Sequence, residues 1–302
     1  MQLITEAEVA ATLTPSAAAH CLREAFTQMG QGQASVLARG RAAAEVDGIP
    51  LALSAMGAVL PAAGVLGTKV YSTRKGQYQF VITLFSAETG LPLATLEANE
   101  LTRLRTAAAT AVAVDALAAK DAKVLAIFGA GTQAYAHAEA IRPLRGFERV
   151  LVCARSGGEE FAARISAEAV DAETAAREAD VIITATRASE PLFDGSLVKP
   201  GAFVGAVGSS KPAARELDDA LLARAALIAV EWKTAFEAEA GEFCRAATGV
   251  IKPERVAELG ELLAAPRARN PEDIMVYKSV GIGLEDVAIA NWVYQQLQQE
   301  KA

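Results

Sequence analysis

The chain has 302 residues, 52% of them hydrophobic but only 6% aromatic, so a large core of Ala, Leu and Val fits one large or two ordinary domains. A formal charge of −7 and a pI near 5.1 argue against non-specific binding to nucleic acid or to an anionic membrane. No apolar run approaches the roughly 20 residues of a membrane span, and the acidic start Met1–Glu8 lacks a signal peptide's basic region. Cys21, Cys153 and Cys244 lie far apart without CxxC spacing, so no metal site or disulfide framework is expected and a cytoplasmic setting is the simple reading.

In chain order, Glu6 to about Met29 reads as helix, with Val9, Leu13, Ala17 and Cys21 at helical spacing. Shorter segments follow, broken by Gly48, Pro50, Gly57, Pro61, Gly64, Gly67 and Gly76. Val65–Ser72, Gln79–Phe85 and Pro92–Leu96 are strand-like, with a hairpin signal at Leu84–Pro92. Strands joined by hairpins imply an α+β domain. Asn99–Ala119 is an Ala-rich helix leading onward.

The most informative stretch is Val124–Phe128 followed by Gly129, Ala130, Gly131, Thr132, Gln133 and Ala134. An apolar strand, a Gly-x-Gly-x-x-Ala turn and a helix start in succession let backbone N–H groups face a pyrophosphate. Gly129 allows the sharp turn, Gly131 keeps a Cβ from the phosphate's path, and Ala134 lets helix and strand pack closely. The helix Thr132–Leu144, strand Arg149–Ala154, helix Glu159–Glu168 and strands Val181–Ala185, Ala202–Val207 and Ala226–Val230 follow. That alternation defines an α/β, Rossmann-type doubly wound parallel sheet beside the α+β domain. The expected domains are 1–115, completed by 276–302 through a helix from Leu284, and a dinucleotide-binding domain at 116–275.

Cofactor choice turns on the end of the second strand. NAD-binding domains commonly place an acid there for the ribose 2′-OH. This chain has Arg155 and Ser156, with no carboxylate until Glu159, which suits a 2′-phosphate and favours NADPH, with NADH possible. Thr184 and Thr186 either contact the ribose or simply finish their strand. His20 and His137 lie in helices away from these motifs, so a histidine acid/base is not expected.

Several patterns together resemble the ornithine cyclodeaminase/mu-crystallin family, closest to its ketimine reductase members, from about residue 39 to 290. They are Leu66–Val70, Glu100–Ala111 (ELTRLRTAAATA), the Gly129–Ala134 turn, Ala179–Thr186, Lys199–Ala202, Ala206–Gly208, Tyr277–Gly281 and Leu284–Asp286. The resemblance implies a homodimer whose first domain supplies the interface and the substrate pocket. It implies a small imino- or amino-acid substrate, with Arg105 and Arg41 on its carboxylate, although nearby Arg39 leaves the second register open. Lys69 would lie beside the reacting carbon. Thr106, Val207, Lys278 and Gly281 fall in motifs that would line the cofactor. An unpaired guanidinium at Arg105 would be costly in so apolar a helix, and a lysine like Lys69 can exchange protons near neutrality when buried. The departure is Ser210, which stands where the cyclodeaminases carry an aspartate. A serine hydroxyl does not titrate near neutrality, so the expected reaction is reduction of a small cyclic ketimine acid, with an alanine dehydrogenase, an altered ornithine cyclodeaminase or a non-catalytic NADP-dependent binding protein as the alternatives.

Overall fold

The computed structural model describes residues 1–300 and divides into two compact units, Met1–Arg105 with Ile282–Ala302, and Thr106–Gly281. The division falls at Arg105/Thr106, inside one continuous helix, and not at 115/116.

The first unit begins with β1 (Gln2–Ile4), α1 (Glu6–Thr12) and α2 (Pro15–Gly30). The single helix expected over 6–29 is broken at Leu13–Thr14. Pro15 holds Thr14 extended, and the Thr14 side chain accepts from Ala17 N to cap the second helix. Two twelve-residue strands follow, β2 (Ser35–Val46) and β3 (Ile49–Leu60), where only short segments were expected. Their turn is Asp47-Gly48, both at positive φ, as a two-residue hairpin requires. Then come β4 (Val65–Arg74), β5 (Gln77–Ser86), β6 (Pro92–Glu97) and α3 (Asn99–Leu117).

These strands form a six-stranded sheet in the order β1-β6-β5-β4-β3-β2, antiparallel except for the parallel β1–β6 pair. One face, carrying Met56, Ala58, Leu60, Val65, Ile82 and Leu84, is buried. A C-terminal helix, numbered α11 in chain order (Gly283–Gln299), packs on β3 and β4. Gly283 makes that approach possible, since a Cβ there would collide with the backbone of Gly57. The other face leaves Leu37, Leu53, Val59, Val70 and Val81 exposed.

The second unit runs β7 (Val124–Phe128), α4 (Thr132–Ile141), β8 (Arg149–Cys153), α5 (Gly158–Arg164), β9 (Glu168–Ala169), α6 (Ala172–Glu178), β10 (Val181–Thr184) and β11 (Phe203–Ala206). It continues with α7 (Asp219–Arg224), β12 (Leu227–Val230), α8 (Lys233–Glu239), α9 (Gly241–Cys244), β13 (Val256–Glu258), α10 (Leu259–Ala264) and β14 (Met275–Lys278). The helix expected over 159–168 stops early because Ser166 turns the chain at positive φ and Glu168–Ala169 then pairs with β8. All eight strands are parallel, in the order β13-β12-β14-β11-β10-β7-β8-β9. The chain winds away from β7 on both sides, so the strand order reverses beside β7, as in doubly wound nucleotide-binding sheets.

Candidate active site

The glycine turn lies at the carboxyl end of β7, at that reversal. Gly129 has φ +111°, and a Cβ there would lie 2.6 Å from the Ala185 carbonyl oxygen after β10. Gly131 is the N-cap of α4 with no side-chain capping bond, and a Cβ on it would meet nothing within 4 Å. Ala134 is buried, Thr132 is exposed, and the buried Gln133 Oε1 finds no partner among the described residues. Uncapped N–H groups and an open approach fit a dinucleotide's phosphates. At the end of β8, Arg155 and Ser156 line a cavity of about 480 Å³. Glu159, Glu160 and Asp171 line it too, so Arg155 shares the space with three acids.

Four residues expected on the cofactor have other partners. Thr184 is fully buried, and its hydroxyl donates to Glu216 at 2.8 Å. Thr186 gives its N–H and hydroxyl to the same carboxylate at 2.8 and 2.7 Å, joined by Gly208 N at 2.8 Å. Lys278, 1% exposed, donates to the Ser209 carbonyl at 2.9 Å and pairs with Glu242 at 3.0 Å. Gly281 N donates to Glu231, which also accepts from Ser279 and Val280 N. These arrangements have one physical cause. Buried carboxylates need donors, and the strand-end threonines, lysine and glycine supply them. Glu216, Glu231 and Glu242 were not singled out in the sequence.

Val207 N is likewise spent on the Thr184 carbonyl, at 2.9 Å, while Ser210 is half-buried in the loop that Lys278 holds at Ser209. Thr106 is half-buried on α3. His137 is interior, bonded to the Gln133 carbonyl and Thr110, and burial pushes its pKa down to about 4, so the ring is neutral.

In the first unit Lys69 lies on β4 opposite Met56 and Ile82, on the face that also carries Gly67 and Tyr71. It is 1% exposed, and its Nζ donates to Asp286 Oδ1 at 2.7 Å. The Phe80 and Tyr71 rings stand 5.2 and 5.9 Å from the ammonium. Arg105 on α3 donates to Glu285 Oε2 at 2.6 Å and sets its Nε 3.2 Å from Asp286 Oδ1. Glu285 Oε1 accepts from Ile282 N at 3.0 Å, so this side chain both caps α11 and holds Arg105. Burial and the Arg105 charge lower the Lys69 pKa to about 8, against the pull of Asp286 and Glu285. The two acids belong to a motif noted in the sequence, but no role was assigned to them there.

Arg41 is exposed on β2, and its Nε donates to Ser54 Oγ at 3.1 Å. A bulge between Leu37 and Gly40 shifts the β2–β3 register by one residue. Arg41 thereby pairs with buried Ser54, on the Lys69 face, whereas the unshifted register would oppose it to exposed Leu53. Arg41 therefore shares the sheet face of Lys69, while Arg39 lies within the bulge.

An all-parallel sheet wound in both directions from a glycine turn, joined to a mixed α+β unit with a buried charge cluster, defines a two-unit Rossmann-type protein. The chain belongs to the ornithine cyclodeaminase/mu-crystallin family, whose model matches residues 1–301. It is 35% identical over 254 residues to ketimine reductase mu-crystallin of Mus musculus, covering 80% of this chain and 79% of the relative. It is 36% identical over 229 residues to a Bacillus cereus Δ1-pyrroline-2-carboxylate reductase, covering 72% and 70%. A Bordetella pertussis Tohama I structure, described as a probable ornithine cyclodeaminase, is 44% identical with TM-score 0.93, covering 99% of this chain and 98% of that one. Thermococcus litoralis Δ1-pyrroline-2-carboxylate reductase, in complex with NADH and L-proline, is 28% identical with TM-score 0.90 and covers 100% and 99%. An archaeal alanine dehydrogenase dimer with bound NAD is 28% identical with TM-score 0.91, covering 100% and 97%.

Proposed function

We propose that this protein reduces a small cyclic ketimine acid, Δ1-pyrroline-2-carboxylate or Δ1-piperideine-2-carboxylate, to L-proline or L-pipecolate, with NADPH preferred over NADH. The observation that carries the reading is Lys69, a buried ammonium whose pKa of about 8 lets it give up a proton near neutrality, beside Arg105.

When bound, the nicotinamide supplies a hydride to C2 of the C=N bond. Gly129–Ala134 would hold its pyrophosphate, and Arg155 with Ser156 the 2′-phosphate. Arg41 and Arg105 anchor the substrate carboxylate, for which the planar guanidinium is suited. As C2 gains the hydride, the C=N π electrons settle on nitrogen, which takes a proton from Lys69. The lysine then regains its proton from water. Fixing the carboxylate supplies much of the rate, because the encounter no longer has to be paid for in lost freedom.

Support for NADPH rests on Arg155. Glu159 and Asp171 in the same cavity, and the NADH-bound relative, keep NADH as the alternative. The exposed Leu37, Leu53, Val59, Val70 and Val81 on one sheet face support a homodimer. Among the described residues no helix is long and apolar enough to cross a membrane.

A second reading, ornithine cyclodeamination, draws on the 44% identity to the Bordetella protein. Ser210 argues against it, because a serine lacks the acid/base needed for amine loss and ring closure. Purified protein with NADPH and Δ1-pyrroline-2-carboxylate decides between them. Cofactor oxidation is expected. No oxidation, together with ammonia release from ornithine or turnover of pyruvate plus ammonia, overturns the reading.

A further inference from the structure

Lys69 and Arg105 meet on a single atom. Asp286 Oδ1 accepts from Lys69 Nζ at 2.7 Å and lies 3.2 Å from Arg105 Nε, while Oδ2 is buried without a hydrogen-bond partner among the described residues. Glu285 is spent on α11 and on Arg105, as its two oxygens show. A core ion pair serving stability alone satisfies its carboxylate more fully, since an unpaired buried oxygen is costly and replacing the pair by apolar residues is often neutral or better. Asp286 is also placed with unusual care. It sits in the first turn of α11, which reaches the sheet only because Gly283 has no side chain.

We propose that Asp286 is a positioning residue of the reaction: its Oδ1 fixes the Lys69 ammonium relative to Arg105 and keeps that lysine in the protonated form that serves the nascent amine. This rests on the reduction reading above. The groups that act on Lys69 in this unit are Asp286 and Glu285 from α11 and Arg105 from α3, with the uncharged Tyr71 and Phe80 rings of β4 and β5. Arg41, on the same sheet face, is bonded to Ser54. Burial and Arg105 drive the proton off Lys69, and Asp286 and Glu285 oppose them. Without the Asp286 charge the lysine deprotonates at lower pH.

The test is the pH profile of kcat for wild type, Asp286→Asn and Asp286→Glu, run on whichever imine the wild type turns over. For Asp286→Asn the alkaline limb moves down by about one pH unit or more, so kcat at pH 8.5 falls about tenfold while most of it survives at pH 6. Asp286→Glu keeps the charge but displaces it, so its limb stays in place while kcat drops. NADPH affinity is unchanged in both. Equal loss at every pH in Asp286→Asn, or wild-type kcat in Asp286→Glu, overturns the inference. Should Asp286→Asn fail to fold, the Asp286→Glu profile decides alone. Wild-type turnover of an acyclic imine in place of a cyclic one overturns the proposed substrate and leaves the Asp286 test standing on that imine. No turnover of any imine overturns both.

Discussion

Arg105 has two roles to separate, because it neutralises buried acids and is proposed to hold the substrate. Arg105→Met removes the donor to Glu285 at 2.6 Å and the group 3.2 Å from Asp286. Both carboxylates are fully buried, and Lys69 is then the one cation left among the four charges of the cluster. Stripping one partner from a buried pair costs on the order of 3–5 kcal/mol, so the single variant is strongly destabilised in urea unfolding. Adding Glu285→Gln removes the stranded charge and keeps an oxygen for Ile282 N. About 1–3 kcal/mol of coupling then returns in the double variant. Activity behaves differently if Arg105 also grips a carboxylate. A charge-assisted bond of about 1.5–3 kcal/mol corresponds to a loss of roughly 10- to 150-fold in kcat/KM, and Glu285→Gln does nothing to restore it. NADPH affinity stays at the wild-type value in both variants. Recovery of kcat/KM together with stability refutes the substrate role and leaves Arg105 as the partner of Glu285. Loss of NADPH binding refutes the assignment from the other side.

At the glycine turn the two glycines separate folding from binding. Gly129→Ala is strained at φ +111° and crowds the Ala185 carbonyl, costing about 1–3 kcal/mol in thermal unfolding. Gly131→Ala meets nothing within 4 Å, so it leaves Tm alone and weakens cofactor binding in a fluorescence titration. Arg155→Ala lowers NADPH affinity about tenfold or more and leaves NADH affinity unchanged, and equal effects on both cofactors would refute a 2′-phosphate contact. Lys69 also has a pH signature in stability. Its folded pKa is lowered to about 8 from 10.5, so between those values the unfolded chain holds the extra proton and stability rises with pH. Unfolding measured from pH 7 to 11 shows a component of that rise which Lys69→Met removes.

The nucleotide-binding unit was legible because parallel strands covered on both faces are written as short apolar runs, and Val124–Phe128, Val181–Thr184 and Leu227–Val230 are all buried throughout or nearly so. The hairpin β2–β3 was not legible, for the opposite reason. β2 is the edge strand and most of it is exposed, so Ser35–Val46 shows no two-residue alternation. The usable signal was Asp47-Gly48, a turn dipeptide passed over among many glycines. Met275–Lys278 was missed as a strand because its four residues end in a lysine, whose charge is met inside the fold by Glu242.

At the candidate site, the cations could be read from the sequence and the anions could not. Lys69 and Arg105 stand out because each interrupts an apolar strand or helix. Their partners Asp286 and Glu285 arrive from 217 and 180 residues away on a returning helix, a distance over which no local pattern carries information. One general rule still bears on them. A charge buried in apolar surroundings must be paired, so two cations inside a core demand acids that are themselves enclosed by apolar residues. Glu285-Asp286, between Leu284 and Val287, meets that demand. The same bookkeeping applied to Lys278 points to a buried acid in the other unit, where Glu242 stands. Charge balance inside the core therefore locates residues that motif spacing overlooks, and here it leads to Asp286, the carboxylate on which both proposed site cations converge.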